Sequence, residues 1–555
     1  MTVINIPKQE IKKIVGNLKD EELDNVLNMA ELGVERITDN EIELEITPNR
    51  PDLLSFQGIK RYLESYFKKS NIKEFKPEKP EKNFEVIIDK SVKKVRPYTA
   101  CAIIKGLKMS NEKIEEIINI QEKLHGSYGR NRKKLAIGIY PLEQIKLPIT
   151  FKALPPDEIK FQPLEFPKEI TGRQILSQHP TGREYGILLK DAEVFPIFED
   201  SNNEILSMPP IINSHKTGKI TEQTKDVFIE CSGFNKEYLA KTLNIIVTAL
   251  ADMGGKIYQM EIKDGKDKYL SPNLASEKLE FSLENISKTL GLELTEKQTS
   301  ELLKKMGINC EGSGNNLVAL IPPYRTDILH EIDLAEEVAI AYGYNNFSQE
   351  IPQISTIGEE DKTSILKRKI SNILTGLNLL EISTYHLSTK EKQFKNLGIK
   401  EFLNNIIEVE ESKTENNILR MSLLANSLQI LSENLDSSYP QKIFEIGKVF
   451  NSDDKYKESE TQIKEEEMLC ISLCSEKSNF TEIKQVLDYL MRMLEIEYEI
   501  KETSHPSFIE GRAGEIMINK KPVGILGEIS PCVLKNNKIK MPVASLEINI
   551  ERLIP

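Results

Sequence analysis

Apolar residues at Ile328, Ile332, Ala335, Ala339 and Tyr342 keep to one face of a helix, and Gly343 closes the run. The same period runs through residues 20–32 before Gly33, and through Leu239, Leu243, Ile246, Leu250 and Met253 before Gly254 and Gly255. Ser282 and Thr295 each precede a short helical run that stops at a glycine, Gly291 and Gly307. Alternating patterns predict strands over residues 41–46, 98–104 and 136–140, and a hairpin turning at residues 311–315. Further on, Ile365, Leu366, Ile370, Ile373 and Leu377 predict a helix, and residues 480–494 a second one. Strands are expected there at 381–387, 442–450, 468–475, around 514–528 and at 543–548.

A chain of 555 residues exceeds what one hydrophobic core serves. The expected fold class is α+β and multidomain. Residues 1–83 form an α/β module in which Asp52 caps a helix to about residue 68, followed by a polar, proline-spaced linker at 69–83. Residues 84–268 read as a mixed α+β domain. Residues 269–350, two short helices and a hairpin, read as a winged-helix-like module, and residues 351–555 as a domain built on one large antiparallel sheet.

Composition narrows the class. With 39% hydrophobic and 29% charged residues the chain is an ordinary globular protein, and no apolar run approaches the ~18 residues of a membrane span. The first residues lack the charged and apolar regions of a secretory signal, so the expected location is the cytoplasm. A net charge of -12 disfavours a broad, non-specific nucleic-acid binder, although residues 90–96 and 129–134 are locally basic. A DNA regulator built on residues 272–346 is disfavoured too, because its second helix carries only Lys297, Lys304 and Lys305. The six cysteines show neither disulfide nor zinc spacing, and Cys470 and Cys474 read as buried thiols on one strand face.

Chemistry concentrates in the segment that follows Pro322 and Pro323. Asp333, Glu336 and Glu337 stand at i, i+3 and i+4 with Asp327 just ahead, so their carboxylates share a helix face. Two readings fit that spacing: oxygen ligation of Mg²⁺, or acids that favour the positive end of a helix and face solvent.

Four segments taken together resemble phenylalanyl-tRNA synthetase β subunits. They are Thr47-Pro48-Asn49-Arg50-Pro51-Asp52, Met208-Pro209-Pro210-Ile211-Ile212-Asn213-Ser214, Arg325-Thr326-Asp327-Ile328 with Asp333-Leu334-Ala335-Glu336-Glu337, and Phe444-Glu445-Ile446-Gly447. The length and the run from Gln121 to Arg132 resemble the archaeal and eukaryotic type. The resemblance implies Mg²⁺ held by Asp327, Asp333, Glu336 and Glu337 near a contact with an α subunit, in an (αβ)₂ assembly acting on tRNA(Phe). It implies that residues 84–268 are an editing domain hydrolysing Tyr-tRNA(Phe), with Ser207, Asn213, Glu230 and Ser232 as candidate residues. Glu230 and Cys231-Ser232 stand where the family pattern has an aspartate and a threonine-containing turn. The last domain then resembles a class II synthetase core without its ATP-gripping motifs, so ATP chemistry is expected on the α subunit. Arg420 reads as a cation at a helix start. The alternative is a scaffold and tRNA-binding subunit whose editing pocket is inactive.

Overall fold

Residues Val227–Gly233 are buried at every position, as a strand is when both faces of its sheet are covered. In this computed structural model, which describes residues 2–68, 72–352, 354–400, 406–410, 412–452 and 461–553, that strand is central in a four-stranded antiparallel sheet. Its neighbours are Tyr98–Lys105 and Leu135–Pro141, with Lys256–Tyr258 at the edge. Successive side chains alternate between faces. Val227, Ile229 and Cys231 share a core with Leu243, Ile246 and Leu250 of the helix Lys236–Asp252. Phe228, Tyr140 and Ile103 instead share a core with Phe151, Phe198 and Ile262 of a seven-stranded sheet. That sheet runs in the order 212–213, 205–208, 195–199, 149–154, 85–88, 260–264, 267–271. Glu230 lies on the same face as Phe228, so its carboxylate enters the space between the sheets.

The chain divides into two units, residues 1–351 and 352–555. In the first unit one apolar cluster extends from Ile4 to Ala341, so the three expected segments before residue 351 share a core. The 69–83 stretch is correspondingly more than a linker. Residues 69–71 lie outside the described residues, but Phe75 is buried edge-on to Tyr324, and Glu78 bridges to Tyr258. The boundary drawn at residue 268 falls inside the strand Asp267–Ser271. Asp52 caps no helix. It sits in the 3₁₀ turn Pro51–Leu53, and the Ser55 hydroxyl accepts from Gly58 N at the start of the helix Phe56–Lys68.

The two short helices and the hairpin stand where their caps placed them. Ser282 caps Leu283–Leu290, Thr295 caps Glu296–Lys305, and Gly291 takes φ 67°, a left-handed conformation that suits a residue without Cβ. The strands Glu277–Ser282, Asn316–Ile321 and Asn309–Ser313 form a three-stranded sheet beside them.

The second unit is a seven-stranded sheet ordered 380–381, 441–452, 463–474, 543–549, 521–529, 508–518, 499–502, antiparallel except at its first pair. One face shares its core with the helices Lys362–Gly376 and Phe480–Met493, the other with Leu423–Glu433. The strand expected over 381–387 is reduced to two short pieces, Leu380–Glu381 and Leu387–Ser388.

Candidate functional site

Three of the four editing candidates meet at one pocket. Ser207, Asn213 and Glu230 line a cavity of about 110 Å³ together with His125, Arg132 and Ile137. The seven-stranded sheet supplies one wall, since Ser207 pairs with Asn213 across its edge strands. Glu230 arrives from the four-stranded sheet, opposite Gly138. A Cβ at position 138 would come within 2.1 Å of the Tyr140 hydroxyl oxygen and 2.7 Å of Glu230 Oε1, so only glycine leaves room for both groups.

Tyr140, outside the lining itself, links two of these residues. Its hydroxyl lies 3.2 Å from Glu230 Oε1 and 3.4 Å from Asn213 Oδ1, and donates its single proton to one of them at a time. Glu230 Oε2 and Ser207 Oγ are buried without a hydrogen-bond partner among the described residues. Such groups cost about 1–3 kcal/mol each to leave unpaired, which makes them places where a ligand's polar atoms belong. Burial pushes the Glu230 carboxyl up to about 8, against the pull of the nearby Arg96 charge. The acid is therefore largely protonated at neutral pH, and because Oε1 accepts from Tyr140 the proton is assigned to Oε2.

Ser232 does not join this set. Its hydroxyl is turned to Arg96, whose Nε donates to Ser232 Oγ at 3.1 Å while Nη2 donates to Ser232 O at 2.6 Å. Ser232 shares the strand face of Glu230 two residues on, but it is outside the pocket lining and anchors a buried guanidinium, so the cation beside it is what separates it from the other three. His215 is absent from the lining, whereas His125 is present with Nε2 accepting from Ile137 N at 2.8 Å. Burial lowers the His125 pKa, keeping the ring neutral.

Arg132 and Gln121 line the pocket and Tyr140 bonds to its residues, and sequence reasoning assigned none of the three. Arg132 Nη1 donates to Pro210 O and Ile211 O at 3.2 and 2.9 Å, and Nη2 donates to Glu122 at 3.0 Å. Gln121 Nε2 donates to Ile137 O at 3.0 Å. The run from Gln121 to Arg132 had marked the family type, and that signal pointed to these residues. Tyr140, inside an apolar strand pattern, carried none.

The four acids proposed for Mg²⁺ do not converge. Arg325, buried at 2% exposure, places its guanidinium between two of them: Nε and Nη2 donate to Asp327 at 2.8 and 2.7 Å, and Nη1 and Nη2 donate to Glu337 at 3.1 and 2.5 Å. Burial opposes it, but Arg325 holds Asp327 below the usual carboxylate range. Asp333 Oδ2 accepts from the backbone N–H groups of Leu329 and His330, and Glu336 is exposed. No group of three or more His, Cys, Asp or Glu able to hold a metal ion occurs among the described residues. As a set the four acids do not fit the ion: a guanidinium already supplies the countercharge of Asp327 and Glu337, Asp333 is taken by backbone N–H groups, and Glu336 faces solvent. What the segment does is fasten neighbouring parts of the first unit. Thr326 Oγ1 donates to Asn49 O at 3.3 Å, Lys241 Nζ to Arg325 O at 3.3 Å, and Asn244 Nδ2 to Pro323 O at 3.1 Å.

In the second unit Arg420 is no exposed helix-start cation. It is 1% exposed, with Nη1 2.7 Å from Glu445 Oε1 and Nε donating to Lys448 O at 2.8 Å. Beside it on the same sheet face, Ser427, Ser472 and Ser545 form a buried hydroxyl chain, and Glu547 accepts from Ser422 Oγ and Leu423 N. Cys470 and Cys474 are buried free thiols whose pKa values burial raises.

Comparison with known proteins sets these features in a family. Residues 279–344 match the tRNA synthetase B5 domain, and residues 348–550 match the phenylalanyl tRNA synthetase beta chain CLM domain. The chain is 37% identical over 561 residues to the phenylalanine–tRNA ligase beta subunit of Pyrococcus abyssi, with 100% of both chains covered. Identity to the corresponding subunit of Archaeoglobus fulgidus is 34% over 554 residues, covering 99% of this chain and 98% of the relative. A crystal structure of an N-terminal fragment of the phenylalanyl-tRNA synthetase beta-subunit from Pyrococcus horikoshii superposes with a TM-score of 0.59 at 35% identity, covering 61% of this chain and 99% of the fragment.

Proposed function

Because the chain belongs to the family of phenylalanine–tRNA ligase beta subunits, we propose that it supports ATP-dependent attachment of phenylalanine to tRNA(Phe) by an α subunit and itself hydrolyses mischarged Tyr-tRNA(Phe). The assembly is an (αβ)₂ tetramer of the cytoplasm, with ATP bound on α. No helix among the described residues is long and apolar enough to cross a membrane.

The observation that carries the editing reading is the pocket in which Glu230 Oε2 and Ser207 Oγ are buried without a hydrogen-bond partner among the described residues. A pocket selective for phenylalanine discriminates poorly against the added hydroxyl of tyrosine, by only about a hundredfold, so a second sieve must read that hydroxyl. Protonated Glu230 donates from Oε2 to the phenol oxygen of tyrosine, and the phenol proton is free for Ser207 Oγ or a carbonyl oxygen. Phenylalanine offers neither group and leaves the buried acid unpaired. Asn213 and the pocket wall orient the ester. No His or Cys forms a nucleophilic pair with Ser207 in the lining, which favours attack by a positioned water. The water oxygen bonds to the ester carbonyl carbon, the bond to the terminal ribose oxygen breaks, and that oxygen takes up a proton, releasing tyrosine and free tRNA.

The placing of ATP chemistry on α is supported by the centre of the second unit's sheet. Its guanidinium is already consumed by Glu445, leaving no free fork for a phosphate.

Deacylation of Tyr-tRNA(Phe) and Phe-tRNA(Phe) by the αβ complex, wild type against Glu230→Ala and Asn213→Ala, tests the reading. We expect Glu230→Ala to lose about ten- to a hundredfold in Tyr-tRNA hydrolysis and to narrow the preference over Phe-tRNA. Unchanged rates in both variants would return the inactive-scaffold alternative.

A further inference from the structure

The strands Tyr98–Lys105, Val227–Gly233 and Leu135–Pro141 end in register, with Gly233 between Tyr98 and Leu135. Just beyond that end stands Phe234, 54% exposed, with the Arg96 guanidinium 5.5 Å from its ring centroid. The same Arg96 holds Ser232, so residues 230, 232 and 234 mark one face of the strand from the pocket acid to the exposed ring. At ~3.3 Å per residue the two ends lie about 13 Å apart.

The third wall of this corner is the basic loop. Arg130, Asn131 and Arg132 take φ of 49°, 52° and 63°, a left-handed run that turns the chain back on itself. One end is fastened to the pocket rim through Arg132, which also neutralises Glu122 there. The other end lies against the strand: a Cβ at Gly233 would come within 2.3 Å of Lys134 O. Arg130, Lys133 and Lys134 are exposed, and none has an ion-pair partner among the described residues. The loop that carries these cations adjoins Phe234 through Gly233, and Lys134 Nζ itself lies 5.3 Å from the Tyr238 ring centroid. An exposed aromatic ring next to a basic loop is the standard chemistry for a single-stranded nucleic acid, with bases stacking and phosphates tracking the charge.

The geometry points to Phe234 as the platform on which the unpaired 3′-terminal nucleotide of the tRNA stacks, with its phosphates along Arg130, Lys133 and Lys134, delivering the aminoacyl ester into the Glu230 pocket. This rests on the editing reading for its purpose, but not for its measurement. It also accounts for how a chain of net charge -12 gathers RNA at one corner.

The test uses the whole αβ complex and deacylated tRNA(Phe) carrying 2-aminopurine at its 3′ terminus. Wild type and Phe234→Tyr should quench the fluorophore by stacking, and Phe234→Ala should not. In Tyr-tRNA(Phe) deacylation Phe234→Ala should raise KM about tenfold with kcat nearly held, as loss of one base–aromatic stack predicts. Lys133→Ala and Lys134→Ala should each lower the salt slope of binding by about 0.7. Quenching that survives Phe234→Ala overturns the platform, as does a Phe234→Ala variant that instead releases the α subunit, which would assign this corner to a protein contact. If the wild type quenches but does not hydrolyse Tyr-tRNA(Phe), the platform stands and the editing reading falls.

Discussion

Glu230 and Glu445 are buried to the same degree, 1% and 2% exposed, one in each unit of the chain, yet their surroundings differ in kind. Glu445 accepts from Arg420 Nη1 at 2.7 Å, from Thr384 Oγ1 at 2.7 Å and from Thr384 N at 3.1 Å. Glu230 has one tyrosine hydroxyl, at 3.2 Å, and an oxygen with none. A buried acid with both oxygens answered holds a fold together, while one with an oxygen left unanswered keeps its capacity for something that arrives later. Arg325 follows the first pattern, with Asp327 and Glu337 both answered, which is why an acidic segment with the spacing of a metal site behaves as a clasp.

The comparison breaks most visibly under truncation. Glu445→Ala strands the buried Arg420 charge and should destabilise the second unit by about 3–5 kcal/mol, read as a lower urea midpoint. Glu230→Ala removes an acid with an unpaired oxygen and should cost under about 1 kcal/mol while impairing editing. Equal losses of stability would dissolve the distinction.

A smaller effect separates the acids by pH. Glu230 has its folded pKa raised to about 8 from an ordinary 4.5, so the native state binds the extra proton between those values. Stability therefore falls as pH rises through that window and levels off above it. Glu230→Gln should abolish this contribution, so the wild-type thermal midpoint minus that of the variant should decline between about pH 5 and 8. Tyr-tRNA deacylation by the wild type should weaken as pH passes about 8 and the donor proton is lost. A difference in midpoint that rises over the same interval would mean that Glu230 is ionised in the native protein.

The smallest effect expected is none. With Arg325 as the countercharge, chelation of divalent ions should leave the thermal midpoint of the isolated chain unchanged, since the acids gain nothing from an ion they do not hold. A fall of several degrees on adding EDTA, restored by Mg²⁺, would show that the clasp opens to take a metal.

Caps and periodicity were enough for the module of residues 277–344, because Ser282, Gly291 and Thr295 act on their own helix ends through local hydrogen bonds. They were not enough at Asp52, whose carboxylate is taken by Arg50 at 2.9 Å instead of a helix N–H. Nor did polarity reveal that residues 75–78 are tied into the first unit, since Phe75 is one apolar residue in a charged stretch.

Motif order and local periodicity are written along the chain, and from them came the family, the principal helices and strands, and three of the pocket's polar residues. Which charges meet was settled by folding. Arg325 beside Asp327 and Glu337, Arg96 beside Ser232, Arg420 beside Glu445 and Tyr140 beside Glu230 are pairings across 2, 12, 136, 25 or 90 positions. Whether an acid is a ligand, a clasp or a reader of substrate depends on which partner the fold brings within hydrogen-bond distance, and on whether water is excluded there, neither of which spacing along a chain encodes.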